Sequence, residues 1–135
     1  EKNELYNNDF EVFKAFANAE IAMSAHVLYE TIDPKFPAST SKKVMRIIRE
    51  DIKFSGLLIS DDISMSALSG SLKKRTKDLL EAGNDVVLHC NGNLSEMVEI
   101  IGSGVNPTNS TLFRMASVVE ERKKIEHNKD KFLES

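Results

Sequence analysis

The chain has 135 residues, 41% hydrophobic and 29% charged, with 18 basic against 21 acidic side chains and a net charge of −3. That is about one domain's worth of chain, and the basic residues are scattered or mixed with acids, which excludes a basic stripe for nucleic acid. A single cysteine excludes an internal disulfide and fits a reducing compartment, and neither a membrane span of ~20 apolar residues nor a signal peptide is visible.

Residues 1–19 read as a helix that turns Leu5, Phe10, Phe13 and Phe16 toward a core. Asn18 stands where this helix would end, in the left-handed conformation that asparagine tolerates. Ile21 to Ala25 is a short buried strand delivering His26 to its carboxyl end, and residues 27–38, with Pro34 and Pro37, form a loop. Ser39-Thr40-Ser41 offers N-caps to a helix whose buried face is Val44, Ile47, Ile48 and Ile52 and which runs to about Asp51. Leu57-Leu58-Ile59, entered through Gly56 and left through Ser60, Asp61 and Asp62, fits a strand buried on both faces of a parallel sheet.

Residues 71–82 form the next helix, closed by Gly83, and Asp85 to His89 is a third strand. Asn93 and Glu96 make a capping pair before Leu94, Met97, Val98 and Ile101, and Gly102 and Gly104 end that helix. Pro107 and Thr108 start the last helix, with Leu112, Met115, Ala116 and Val119 as its buried stripe. Beyond Glu120 the sequence is highly charged, and its end is expected to fray or stand in solvent. Strands alternating with helices imply parallel pairing through right-handed crossovers, and three strands cannot close a barrel.

In parallel sheets, ligands gather at the carboxyl ends of the strands, where Asp61 and Asp62 stand. Side chains alternate along a strand, so one carboxylate faces the site while the other braces it or binds elsewhere. From position alone, Asp61 is a catalytic acid, a structural carboxylate or a metal ligand. His26 lines the same pocket or is an ordinary satisfied polar residue, and Met65 either packs on a ligand face or fills core. Asn91 touches the pocket rim. His89 and Cys90 have no second cysteine or spaced histidine to make a metal site, so Cys90 reads as a small buried hydrophobe. His127, in the charged tail, reads as exposed.

Ile47-Ile48-Arg49, an acid at Asp51, Gly56 after a four-residue gap and then Leu57-Leu58-Ile59-Ser60-Asp61 resemble the active-site signature of family 3 glycoside hydrolases. Met23-Ser24-Ala25-His26-Val27-Leu28-Tyr29 with Asp33-Pro34 is similar to the preceding barrel strand of that family's bacterial β-N-acetylhexosaminidase branch, and Val86-Val87-Leu88-His89-Cys90-Asn91 to the following one. The resemblance covers roughly Phe13 to Ile101, although the family's usual glycine near Asn18 is missing.

The resemblance implies an α/β fold, the C-terminal part of a (β/α)8 TIM barrel with about three parallel strands and their helices. Residues 1–104 would be the partial barrel and 105–135 a C-terminal helix with a charged tail. It implies a retaining exo-β-N-acetylglucosaminidase acting on peptidoglycan-derived muropeptide sugars, cytoplasmic and without cofactor or metal. Asp61 would be the nucleophile, Asp62 its support, and His26, Met65 and Asn91 substrate-lining. The branch takes its acid/base from a His–Asp loop nearer the N-terminus and holds the sugar with a Lys-His motif; neither occurs here. One alternative is therefore an inactive remnant or split-enzyme fragment that needs a partner chain. A small receiver-like α/β domain binding Mg²⁺ through Asp61-Asp62 is an alternative of another class. Open strand edges imply a homo-oligomer or docking with a complementary N-terminal barrel segment.

Overall fold

The computed structural model describes residues 4–133, with side chains described through residue 125. A wide π-helical turn, Leu5–Asp9, runs into α1 (Phe10–Ala15), followed by β1 (Ile21–Ser24). Helix α2 (Lys42–Arg46) continues as a second π-helical turn, Ile47–Asp51, and leads into β2 (Leu57–Asp62). Then come α3 (Leu72–Ala82), β3 (Val86–Leu88), α4 (Leu94–Ile101) and α5 (Asn109–Leu133). The strands form one sheet in the order β1-β2-β3, all parallel, with the expected middle strand at its centre.

Local chemistry accounts for most boundaries. Ser41 caps α2 by accepting from Val44 N and donates its own hydroxyl to Asp33 Oδ2 at 2.7 Å. Ser71 caps α3 in the same way, and Gly83, at φ 128°, ends it in a conformation that favours glycine. Gly56 has a different reason to be glycine. A Cβ there would lie 2.3 Å from the Ala19 carbonyl oxygen, so only a bare backbone lets β2 start beside β1.

Two apolar clusters lie against the sheet. Phe10, Met45, Ile47, Ile52, Phe54, Leu58 and Ala82 form the larger, and Ile63, Leu68 and Leu79 the smaller. Within β2, Leu57, Leu58 and Ser60 are buried, as a central strand requires.

Several expected burials do not occur. Phe13 and Phe16 are 57% and 64% exposed, because α1 stops at Ala15 and only its Phe10 side meets the core. Asn18 is not left-handed; Lys53 is the one non-glycine residue with positive φ among the described residues. β1 ends at Ser24, and its Ile21 and Met23 are exposed because nothing covers its outer edge. In α4, Leu94, Val98 and Ile101 face solvent, while Ile100 reaches the smaller cluster.

The capping pair of α4 is also rearranged. Asn93 caps by accepting from Ser95 N at 3.0 Å and its Nδ2 donates to Glu96 Oε1 at 3.4 Å, while Glu96 Oε2 is drawn to His89 and Asn91. The stripe on α5 is exposed too, because polar contacts choose the inward face. Thr111 and Arg114 both bind Asp85 Oδ1, at 3.0 and 2.8 Å, which turns Leu112, Met115, Ala116 and Val119 outward. Beyond Glu120 the chain stays helical to Leu133, and the side chains of residues 122–125 stand in solvent as expected, with Lys123 and Lys124 paired to Glu120 and Glu121. The His127 side chain lies outside the described side chains. No helix among the described residues is long and apolar enough to cross a membrane.

Candidate active site at the carboxyl end of the central strand

β2 is irregular where its carboxylates lie. Ile59 pairs with Val86 and Asp62 with Leu88, so β2 spends one residue more than β3 between the two pairings. A bulge of this kind re-aims side chains locally. The strict alternation expected for Asp61 and Asp62 is therefore interrupted at those very residues. The Ser60 hydroxyl, fully buried, fills the gap: it accepts from Leu88 N at 3.2 Å and donates to the Asp61 carbonyl at 2.8 Å.

Asp62 is the anchored member of the pair. Its carboxylate accepts from Ser64 Oγ at 2.6 Å, Ser64 N at 3.0 Å and Cys90 N at 3.3 Å. The Ser64 hydroxyl, helped by the Ser64 and Cys90 amides and by nearby His89, holds this carboxyl below its usual range against the opposing effect of burial. The Asp62 N–H donates to Asp61 Oδ1 at 2.8 Å, and Asp61 Oδ2 carries no hydrogen bond among the described residues. One oxygen of Asp61 is thus fixed and the other is not.

The neighbouring strands send a histidine from each side. His26, after β1, has Nδ1 2.6 Å from Ser39 Oγ and Nε2 3.1 Å from the Asp62 carbonyl oxygen. His89, after β3, has Nε2 2.8 Å from Glu96 Oε2, and its buried Nδ1 has no partner among the described residues. His89, then Asn91, holds the Glu96 carboxyl below its ordinary value. Asn91 Nδ2 donates to that carboxylate at 2.7 Å, so its amide is committed to the α4 start. Met65 is exposed beyond the end of β2. Cys90 is a free, exposed thiol rather than a buried hydrophobe, because β3 ends at Leu88 and the chain turns out toward α4.

Asp61, Asp62, His26 and His89 thus gather at one end of the sheet, while Met65 and Asn91 stand around it. The His89–Glu96 pair was not anticipated, and only their seven-residue separation across a strand-to-helix turn hinted at it. A groove of about 440 Å³ runs along β1, lined by Phe13, Phe16, Ile21, Met23, Tyr29 and others, with none of Asp61, Asp62 or His26 in its wall. Among the described residues no three His, Cys, Asp or Glu side chains are grouped to hold a metal.

The sequence profile of the glycosyl hydrolase family 3 N terminal domain matches residues 1–124. The chain belongs to glycoside hydrolase family 3. It is 36% identical over 93 residues to the β-hexosaminidase of Neisseria meningitidis serogroup B, covering 66% of this chain and 26% of the relative. It is 39% identical over 95 residues to that of Methylococcus capsulatus, covering 67% and 28%. Among solved structures, NagZ from Neisseria gonorrhoeae in complex with N-trifluoroacetyl-D-glucosamine superposes with a TM-score of 0.72 at 30% identity, over 86% of this chain and 34% of that one. The β-N-acetylglucosaminidase of Thermotoga maritima gives 0.66 at 29% identity, over 88% and 29%.

The family 3 chain described here therefore has the fold of part of those TIM-barrel enzymes and spans about a quarter to a third of their length. Family membership displaces the receiver-like reading of Asp61-Asp62.

Proposed function

We propose that this chain carries the nucleophile of a retaining exo-β-N-acetylglucosaminidase of peptidoglycan-derived sugars, and that it acts only when joined to the rest of a barrel. The observation that carries the reading is the Asp61 carboxylate, pinned at Oδ1 by Asp62 N and open at Oδ2, in a family 3 chain. In a retaining reaction Oδ2 attacks the anomeric carbon as the glycosidic C–O bond breaks, and a proton donor protonates the leaving oxygen. Water then hydrolyses the glycosyl ester. Asp62 supports Asp61, while Met65 and Asn91 line the sugar site. His26 joins them with its ring edge only, since both its nitrogens are engaged. The free thiol of Cys90 supports a cytoplasmic setting.

The His–Asp acid/base loop that the resemblance implies does not occur in this sequence, and such a group contributes ~10²–10⁴-fold. The split-enzyme reading follows from that lack: the proton donor comes from a complementary barrel segment docked along β1. The chain by itself is expected to leave an aryl β-N-acetylglucosaminide intact, and turnover should appear on adding that segment. Asp61→Ala should then abolish turnover, and a fluorosugar trap should leave its glycosyl ester on Asp61. An ester mapped to Asp62 would overturn the assignment. Turnover by the isolated chain that Asp61→Asn abolishes would instead keep Asp61 as the nucleophile and overturn the need for a partner.

A further inference from the structure

β1 and β2 pair backbone to backbone only as far as Ser24 and Ser60. Two residues further on, the His26 side chain takes over the connection, with Nε2 3.1 Å from the Asp62 carbonyl oxygen. A carbonyl can only accept, so Nε2 carries a proton and donates, while Nδ1 is paired with the Ser39 hydroxyl at 2.6 Å. Ser39 is itself fully buried, and its carbonyl accepts from Asn84 Nδ2 at 2.7 Å. Asn84 Oδ1 in turn accepts from Ser24 Oγ at 2.6 Å. A satisfied buried network of this kind is rigid. It braces the imidazole from behind and leaves neither ring nitrogen free for a ligand.

We propose that His26 is a positioning residue for the Asp61 carboxylate, supplying with its side chain the rung that the β1–β2 ladder lacks. The contacts run in one line: His26 holds the Asp62 carbonyl, Ser64 and Cys90 hold the Asp62 carboxylate, and the Asp62 N–H holds Asp61 Oδ1. Ser60 does the corresponding work toward β3. The Asp62 carbonyl also accepts from Met65 N at 3.1 Å, and past the bulge Ile63 N donates to the Leu88 carbonyl at 2.9 Å, so His26 and Ser60 add side-chain bonds on both flanks to these backbone ones. The functional consequence rests on the reading of Asp61 as the nucleophile; the positioning itself does not.

Two variants separate positioning from sugar contact. His26→Gln keeps an N–H donor for the Asp62 carbonyl, whereas His26→Phe keeps a ring of similar size and loses the donor. In the full chain, three-bond carbon–nitrogen and carbon–carbon NMR couplings across the Asp61 χ1 bond report whether the carboxylate holds one rotamer. One rotamer is expected in the unmodified chain and in His26→Gln, and averaging among rotamers in His26→Phe. A single Asp61 rotamer in folded His26→Phe would overturn the proposal. Should that variant fail to fold, Ser39→Ala takes its place, and an unchanged single rotamer there overturns the proposal equally.

In the assembled barrel, His26→Phe is expected to lower kcat for an aryl β-N-acetylglucosaminide by about 10²-fold, the cost of a misplaced reacting group. KM should stay within about twofold, and His26→Gln should recover most of the rate. A raised KM at unchanged kcat would instead make His26 a sugar ligand and overturn the proposal. If the unmodified assembly turned over no sugar, the glycosidase reading would fall, while the rotamer measurement would still decide the role of His26.

Discussion

Asp62 holds its neighbours together only while it is ionised. Hydrogen bonds from Ser64 and Cys90 keep its carboxyl below the usual range, and the Ser41 hydroxyl, with the Lys35 amide, does the same for Asp33. Glu96 is lowered by His89 and Asn91. Aspartate and glutamate in an unfolded chain titrate near about 3.9 and 4.3. A carboxyl lowered by folding contributes stability that is complete above those values and is lost as pH falls through the folded ones. Urea midpoints should therefore be flat from neutral pH to about 5 and fall steeply below about 4. Asp62→Asn should flatten part of that acid limb; an identical limb in the variant would show that Asp62 contributes nothing to it.

At this scale the sequence placed Asp61 and Asp62 at the end of the central strand, where the structure has them. The partners of His26 were not legible, because Ser39 and the Asp62 carbonyl meet it only through tertiary packing. Cys90 was misread because its exposure depends on β3 ending at Leu88, a boundary no periodicity marks.

Among the elements, β2 and α5 depend on single residues in opposite ways. Gly56 matters for what it lacks: an alanine Cβ would lie 2.3 and 2.5 Å from the carbonyl oxygens of Ala19 and Glu20, where Leu57 N now donates at 2.7 Å. Backbone must move to admit it, and overpacking of this kind costs about 1–3 kcal/mol. Gly56→Ala should lower the urea midpoint accordingly and raise amide exchange in β1; unchanged protection there would mean that the strands do not depend on this approach.

Asp85 matters for what it gathers. Its carboxylate, 3% exposed, binds Arg49, Arg114, Thr111 and the Leu58 amide, tying α5, the π-helical turn after α2 and the entry to β3 onto β2. Removing one partner of a buried charge pair typically costs about 3 kcal/mol or more. Asp85→Ala should destabilise the chain by about that amount in denaturant titration and release α5 first in hydrogen exchange. Equal loss of protection throughout would place the tether elsewhere. The helices themselves followed from apolar spacing, capping serines and glycines, since those signals are local. Which face each helix buries did not follow, because Thr111 and Arg114 outrank the apolar stripe on α5 through a carboxylate far off in sequence. The bulge in β2 had no sequence signal; it arises from how Asp62 meets Leu88.

The molecule as a whole leaves much apolar surface uncovered. β1 pairs on one side only, and the groove along it is walled by Phe13, Phe16, Ile21 and Met23. Open strand edges beside apolar patches invite pairing with another chain. We expect light scattering at low micromolar concentration to report an assembly, whether with a second copy or with a complementary barrel segment. A compact, cooperatively unfolding monomer of 15.1 kDa would contradict this.

The sheet has three strands, and a closed barrel fixes strand number, tilt and stagger together. Two copies joined edge to edge supply six staves and three copies supply nine, so no ring of identical copies can contain eight. A six- or nine-stave ring would have a different diameter and tilt from the family's, and Asp61 would face across its mouth at the wrong distance and angle. Self-association can hide the edges without rebuilding the mouth. An eight-stave ring takes one of these units and five further staves, and on the reading of Asp61 as the nucleophile such a barrel would hold a single one.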